Sequence, residues 1–368
     1  MPTMTSRKLP FNPQENSRLM RLPQEIRDEI YGYLFHSTRF CFGERAVGLI
    51  DLDTRRVVSR NRGKSLALLR ACQRTHAEVG STWLGQALFH FEDPKALLDK
   101  LAVVDDAIRS QIRYVRVSGD TCDVEWGYDD CYYRTAQVLK LLPSLRLERL
   151  TVLGPKFHRA CYENLDSLIK YSDGWKELHY ISHSSEMLGF RAFFDTERHT
   201  RLPQPKSWQQ ELDERDGPEA RSVVTVYRSN SPTRGSILDA TRRTLFQQQM
   251  EADQSANAYG KTEDISLMAP GEREKELLVV VRRGAGVDYA EKNPTSMLPI
   301  GDIRDDSRAQ TWTEVKATSK AMSAAYRDDY DSDSDSDEDS DENDEGEVLL
   351  DDYSDVNEYT WPPFHFVR

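Results

Sequence analysis

The sequence predicts an α+β (mixed α/β) fold. Helices carrying a short strand insertion come first, then a mixed or parallel sheet flanked by helices. A disordered N-terminus and an acidic C-terminal tail are expected on either side. Three observations carry this reading. Apolar residues within 22–34 and 66–87 recur at helical spacing, with a period-two stretch between them. From residue 112 onward, short β-rich runs alternate with helical segments, the pattern of strand–helix–strand units. Residues 328–358 hold seventeen Asp and Glu and no Lys or Arg, a composition that cannot form a core.

Residues 1–17 are polar, carry Pro10 and Pro13, and are expected to be disordered. Segment 22–34 reads as a short helix. Pro23 suits its first position, where a missing N–H costs nothing, and Glu25 favours the positive end of the helix dipole. Ile26, Ile30, Tyr33 and Leu34 fall at i, i+4, i+7 and i+8, one apolar stripe. Residues 39–59 change period. Phe40-Cys41-Phe42, Ala46-Val47-Gly48-Leu49-Ile50 and Val57-Val58 suggest two or three short strands. Ser65 is expected to cap a helix over 66–87, with Leu66, Leu69, Cys72, Val79, Trp83 and Ala87 on its apolar face. Asp93-Pro94 signals the next helix, a capping acid followed by proline, carrying Leu97, Leu98 and Leu101.

Strands are then expected over 112–117, 150–153 and 178–181, with helices over 130–142 and 161–171 between them. Pro143 and Asp173-Gly174 supply the stops. Such units favour parallel pairing with right-handed crossovers. Two more strands, 222–227 and 277–281, bracket an inserted flexible loop over 229–271, with one helix around 236–250. The resulting organisation is 18–118, a helical region with the strand insertion; 119–228, an α/β region; and 272–283, its final strand. Residues 284–368 are expected to be a disordered linker, the acidic tail and an aromatic C-terminus, Trp361-Pro362-Pro363-Phe364-His365-Phe366-Val367.

Composition narrows the function classes. The net charge of −13 belongs to the tail, because the chain without 328–358 has 45 acids against 49 bases. A strongly basic nucleic-acid surface is not indicated by that balance. No apolar run approaches the ~18 residues of a membrane span, and no apolar leader opens the chain. Cys41, Cys72, Cys122, Cys131 and Cys161 are odd in number and scattered, with no C-x-x-C. They read as reduced thiols of an intracellular protein, cytoplasmic or nuclear, with Cys72 in the core.

No catalytic residue, cofactor or metal is assigned. Gly63-Lys64-Ser65 resembles the end of a phosphate loop, but the glycine required five positions earlier is Val58. Gly284-Ala285-Gly286 follows a strand, but Tyr289 stands where a dinucleotide fingerprint needs glycine. His179 and His183 have no clustered third ligand. An enzyme of unfamiliar type would place its site beyond the carboxyl ends of the strands, nearest to Ser118, Asp120, Ser182 and His183.

The block Leu22-Pro23-Gln24-Glu25-Ile26-Arg27, continuing to Ile30-Tyr31-Gly32-Tyr33-Leu34, resembles the first helix of an F-box. The stretch Leu68-Leu69-Arg70-Ala71-Cys72-Gln73-Arg74-Thr75-His76-Ala77-Glu78-Val79 resembles the second part of that motif. With Phe89-His90-Phe91 and Ile112-Arg113-Tyr114-Val115, the pattern over 19–118 is similar to fungal F-box-like proteins. A compact F-box runs its helices nearly together, whereas here residues 35–65 intervene. The resemblance implies a substrate receptor that binds the Skp-type adaptor of a cullin–RING ubiquitin ligase and captures a protein substrate. Leu22, Pro23, Ile26, Ile30 and Leu34 would match the adaptor contacts.

Three functions stay open: such a non-enzymatic interaction protein, a stand-alone structural or regulatory scaffold, and an enzyme. The first expects the apolar face of 22–34 to be exposed; the second expects it to be buried. In the tail, Ser332, Ser334 and Ser336 each have an acid three residues on, Asp335, Asp337 and Asp339. That spacing resembles targets of acid-directed casein-type kinases. The tail would then contact a basic protein, or serve as a solubilising segment.

Overall fold

The computed structural model describes residues 17–43, 49–51, 56–58, 68–69, 71–126, 129–155, 157–188, 206–246, 271–291, 301–304 and 311–330. Helix α1 (Gln24–His36) leads into strand β1 (Arg39–Phe42). A hairpin of β2 (Leu49–Asp51) and β3 (Arg56–Val58) follows. Helix α2 (Gln73–Val79) and a 3-10 turn over Thr82–Gly85 precede β4 (Leu88–Phe91). Helices α3 (Pro94–Leu101) and α4 (Asp106–Arg109) come before β5 (Tyr114–Ser118). A second hairpin, β6 (Cys122–Trp126) with β7 (Asp129–Tyr133), runs into α5 (Thr135–Leu139). Then come β8 (Leu147–Leu153), α6 (His158–Tyr171), β9 (Trp175–Ser182), α7 (Lys206–Asp216) and β10 (Val223–Ser229). Strands β11 (Arg243–Leu245) and β12 (Leu277–Arg282) and helix α8 (Trp312–Tyr330) complete the order.

Eight strands form one mixed sheet in the order β1-β4-β5-β8-β9-β12-β10-β11. The first five are parallel and lie side by side in chain order. The last three alternate in direction. The fold is therefore α+β with a mixed sheet. Right-handed crossovers, the rule between parallel neighbours, carry the connecting helices to one side of a sheet. Accordingly Leu97 and Leu98 of α3, Leu139 of α5, Leu165 and Ile169 of α6, and Trp208 of α7 share one core. They meet Phe89, Val115, Leu150, Leu178, Val281 and Val224, which stand in register on one face of the sheet. On the opposite face, Ile237 and Leu238 pack over Leu153, Ile181, Leu278 and Val280.

Several elements depart from expectation. The helix expected over 66–87 is interrupted. Cys72 is extended (φ −161°), and its Sγ accepts the Thr75 N–H at 3.4 Å, so it caps α2 and is not core. Gly80 then turns the chain at φ +51°, a conformation suited to glycine. The first half of the helix expected over 130–142 is a strand. Cys122, Val124 and Trp126 point inward while Asp123 and Glu125 face out, the period-two pattern of a strand. Its partner β7 places Tyr132 outside and Tyr133 inside, where Tyr133 Oη accepts from Trp126 Nε1 at 3.1 Å. Of the flexible loop expected over 229–271, residues 229–246 are described and carry regular elements, and 247–270 lie outside the described residues. The helix expected around 236–250 is two 3-10 turns and β11, which pairs with β10.

The linker expected over 284–368 is folded wherever it is described. Gly284 N donates to Ser222 Oγ at 2.9 Å, and Arg283 bridges Asp216 and Asp173 at 2.7 and 3.0 Å. Glu291 reaches Lys140 at 3.0 Å in the interior. Helix α8 begins with a reciprocal cap: Thr311 N donates to Glu314 Oε2 at 3.0 Å and Glu314 N to Thr311 Oγ1 at 3.3 Å. Ile303, Trp312 and Val315 are buried in the main core. Asp99 of α3 accepts from Trp312 Nε1 and Lys316 Nζ at 2.7 and 2.6 Å. Apolar positions this sparse give no helical period, so polar partners in the folded domain decide the segment. Of the segment 1–17 expected to be disordered, residues 1–16 lie outside the described residues; of the acidic stretch 328–358, residues 328–330 end α8 and the rest lie outside them.

Candidate protein-docking site

Helix α1 has two working faces. Arg27, Tyr31 and Phe35, at i, i+4 and i+8, are buried. Ile26, Ile30 and Tyr33, about one position round the helix, are 42, 39 and 69% exposed. Three residues of the apolar stripe read from the sequence therefore face outward, while the fourth, Leu34, is half-buried. The helix is held to the domain by a stripe headed by an arginine.

The inward face is built on Glu78 of α2. Arg27 donates to it twice, from Nε at 2.9 Å and Nη2 at 2.6 Å. Tyr31 Oη donates at 3.1 Å, and Arg74 Nε from the same helix at 2.9 Å. The remaining Arg27 nitrogen donates to the Leu22 carbonyl, which ties down the start of α1. Beneath this polar cluster Tyr31, Phe35 and Val79 form a small core, joined by Leu19, Leu34, Leu68, Leu69 and Trp83. The hydrogen bond from Arg27 holds the Glu78 carboxyl below its usual range, although burial opposes this. The same bond raises the Arg27 guanidinium. Burial, reinforced by Glu78, pushes the Tyr31 phenol up.

Of the five positions matched to adaptor contacts, Pro23, Ile26 and Ile30 are exposed, and Leu22 and Leu34 are half-buried. Pro23 stands one place before the first helical residue, as the cap, and not at the first helical position. Tyr33 extends the ridge by one more turn and was absent from those five, although its i+7 spacing placed it on the stripe. The residues that orient the ridge, Arg27, Tyr31, Cys72 and Glu78, all lie within the quoted motif. Spacing alone assigned Arg27, Tyr31 and Glu78 no role, because the contacts of Arg27 and Tyr31 to Glu78 span 51 and 47 positions.

At the alternative site at the strand ends, the contacts of Ser118 with Asp120 and of Ser182 with Ser184 stay within single turns. Ser118 Oγ donates to Asp120 Oδ2 at 2.5 Å within one turn. Ser182 Oγ donates to the Ser184 carbonyl at 2.9 Å within another. The nearby Cys161 thiol donates to the Pro155 carbonyl at 2.8 Å, and burial pushes it up to about 11, so it stays protonated and unreactive. Among the described residues, no three His, Cys, Asp or Glu side chains converge as a metal site, and no helix is long and apolar enough to cross a membrane. Ser332, Ser334 and Ser336 lie outside the described residues. No family model, curated protein or solved structure matches the chain.

Proposed function

We propose that this chain is a protein-interaction module that uses the outer ridge of α1 to dock a Skp-type adaptor, with the α+β body available to hold a protein substrate. The observation that carries the reading is the orientation of α1. Ile26, Ile30 and Tyr33 face away from the core on a helix that Arg27 and Glu78 clamp in place. An apolar ridge at i, i+4 and i+7 is the form in which a helix enters a hydrophobic groove. Pre-setting the helix lowers the ordering cost of binding. None of the five cysteines is disulfide-bonded, which fits work in the cytoplasm or nucleus. The reading assigns the chain no catalysis of its own, and a substrate receptor of a ligase needs none.

A second reading, a scaffold whose α1 serves only its own fold, draws on the burial of Tyr31 and Phe35. A pull-down with purified Skp-type adaptor separates the two. Wild type and the double variant Ile26→Asp/Ile30→Asp are compared, with thermal melting of both. Docking predicts that binding falls about 30-fold or more while melting is preserved. Failure of the folded wild-type chain to retain the adaptor would leave the scaffold.

A further inference from the structure

The sheet ends at β1. Among the described residues no strand lies beyond it: the hairpin β2–β3 pairs only with itself, and β1 is bonded on one side, to β4. The Thr38 and Phe42 carbonyls accept from the Leu88 and Glu92 backbone N–H groups at 3.0 and 2.9 Å, so they face β4. By alternation the N–H and C=O of Cys41 point the other way, toward the open edge. Cys41 itself is exposed. Unpaired edges of this kind are sites for adding a strand.

The helix side of this edge is aromatic. Phe40 and Phe42 of β1 stand level with Phe89 and Phe91 of β4. Ring centres are 5.5 Å apart in the first pair and 5.1 Å in the second, which is stacked at 18°. Trp83 meets Phe40 edge-on at 5.5 Å. Phe89 and Phe91 are buried, whereas Phe40 and Phe42 are only partly covered. The ladder of rings thus stops one strand short of closing over its outer members. The opposite edge of the sheet differs. Strand β11 has three residues, Arg243, Thr244 and Leu245, and offers no aromatic pair.

We propose that Phe364-His365-Phe366-Val367 of the same chain adds to β1 as a further parallel strand, with Phe364 beside Phe40 and Phe366 beside Phe42. Phe-His-Phe occurs twice in the sequence, at 89–91 in β4 and at 364–366, and β1 between them in the sheet carries Phe-Cys-Phe. Neighbouring strands lie about 4.8 Å apart, so the third pair of rings continues the ladder. Period two places Phe364 and Phe366 on the helix side and His365 with Cys41 and His90 on the other. Main-chain bonds to the Cys41 edge hold the segment, and the ring positions fix its register. The segment also suits the outermost place, because it is short, follows Pro362-Pro363 and is followed by Arg368. Helix α8 starts on the same side of the sheet. Trp312 and Lys316 bond Asp99 of α3, and α3 packs on β1. From the end of α8, a helix about 28 Å long, residues 331–363 span up to about 110 Å when extended, so Phe364 reaches the edge.

The test is hydrogen exchange of the full-length chain, resolved at the Cys41 amide by mass spectrometry. Wild type is compared with the full-length variant Phe364→Asp/Phe366→Asp. The Cys41 amide is expected to exchange about tenfold faster or more in the variant, while β8 is unchanged. A synthetic peptide of residues 361–368 added to the variant restores protection, and a scrambled peptide does not. A second measurement uses full-length His365→Cys treated with the short thiol bridge dibromobimane. The introduced thiol is expected to be joined to Cys41, and adding Phe364→Asp/Phe366→Asp removes that product. Equal Cys41 exchange in wild type and a variant of unchanged melting temperature overturns the proposal, as does bridging of position 365 to another cysteine instead. Protection that survives in the variant and rises with protein concentration also overturns it and assigns the edge to a second copy of the chain.

Discussion

The Arg27 guanidinium and the Glu78 carboxylate, 51 residues apart, meet in two parallel contacts of 2.9 and 2.6 Å. This fork joins α1 to α2, and both side chains are largely buried. Glu78→Ala leaves the guanidinium without its carboxylate and is expected to cost about 2–4 kcal/mol, read by urea denaturation. Arg27→Met/Glu78→Met removes both charges and recovers much of that loss. The Glu78 carboxyl lies lower in the folded chain than in the unfolded one, whose value is about 4.5. The link therefore contributes above that pH and is lost as pH falls through the folded value. An acid limb of the stability curve identical in wild type and Glu78→Gln would contradict this.

The two faces of α1 differ in what substitution does. Ile26→Asp and Ile30→Asp each change stability by no more than about 0.5–1 kcal/mol, because both side chains already face water. Phe35→Ala, at a fully buried position, costs about 3–5 kcal/mol. Parallel chemical denaturation of the three variants measures the contrast. An Ile26 or Ile30 variant as damaged as Phe35→Ala would mean that the ridge is internal.

Glu291 links stability to pH with the opposite sign. Its carboxylate accepts from Lys140 Nζ at 3.0 Å and from the Asp173 N–H at 3.1 Å, with no exposure to solvent. Burial pushes it up to about 7, against the attraction of Lys140, and Asp173 adds repulsion. The folded chain thus holds a proton that the unfolded chain releases near 4.5, so this contribution falls as pH rises from about 4.5 to about 7. Glu291→Gln mimics the protonated form. Across that window the melting temperature of wild type should fall relative to the variant, and parallel melting curves would refute the assignment.

Helix α8 is anchored at its first turn. Thr311→Ala removes one half of the reciprocal cap and is expected to cost about 1 kcal/mol of local stability. Trp312→Ala removes a buried ring and its bond to Asp99, costing about 3–5 kcal/mol. Hydrogen exchange distinguishes anchoring from global damage. Both variants should lose protection over 312–324 before they lose it in β8 and β9.

Period and capping are local, and the sequence shows them directly. Strands β1, β5, β8 and β9, helix α6 and the start of α3 were legible for that reason. Asp93 does cap α3, accepting from Ala96 N at 2.6 Å with Pro94 next in line. The alternation in β6 and the Thr311–Glu314 cap are equally local, but aromatic and polar neighbours mask them in the sequence. Helix α5 lies within the helix expected over 130–142, whose first residues form β7 instead.

By itself the sequence determined that this chain alternates strands and helices, and that 22–34 carries an apolar stripe at helical spacing. Only the tertiary structure decided which way that stripe faces. Helical spacing ranks Ile26, Ile30, Tyr33 and Leu34 as the burying face on hydrophobicity. A carboxylate from α2 instead satisfies Arg27, and its desolvation is repaid by paired hydrogen bonds, so the arginine face turns inward. Strand register likewise brings Arg39, Arg149, Glu177 and Arg282, scattered along the chain, into one row on the sheet face turned away from the helices.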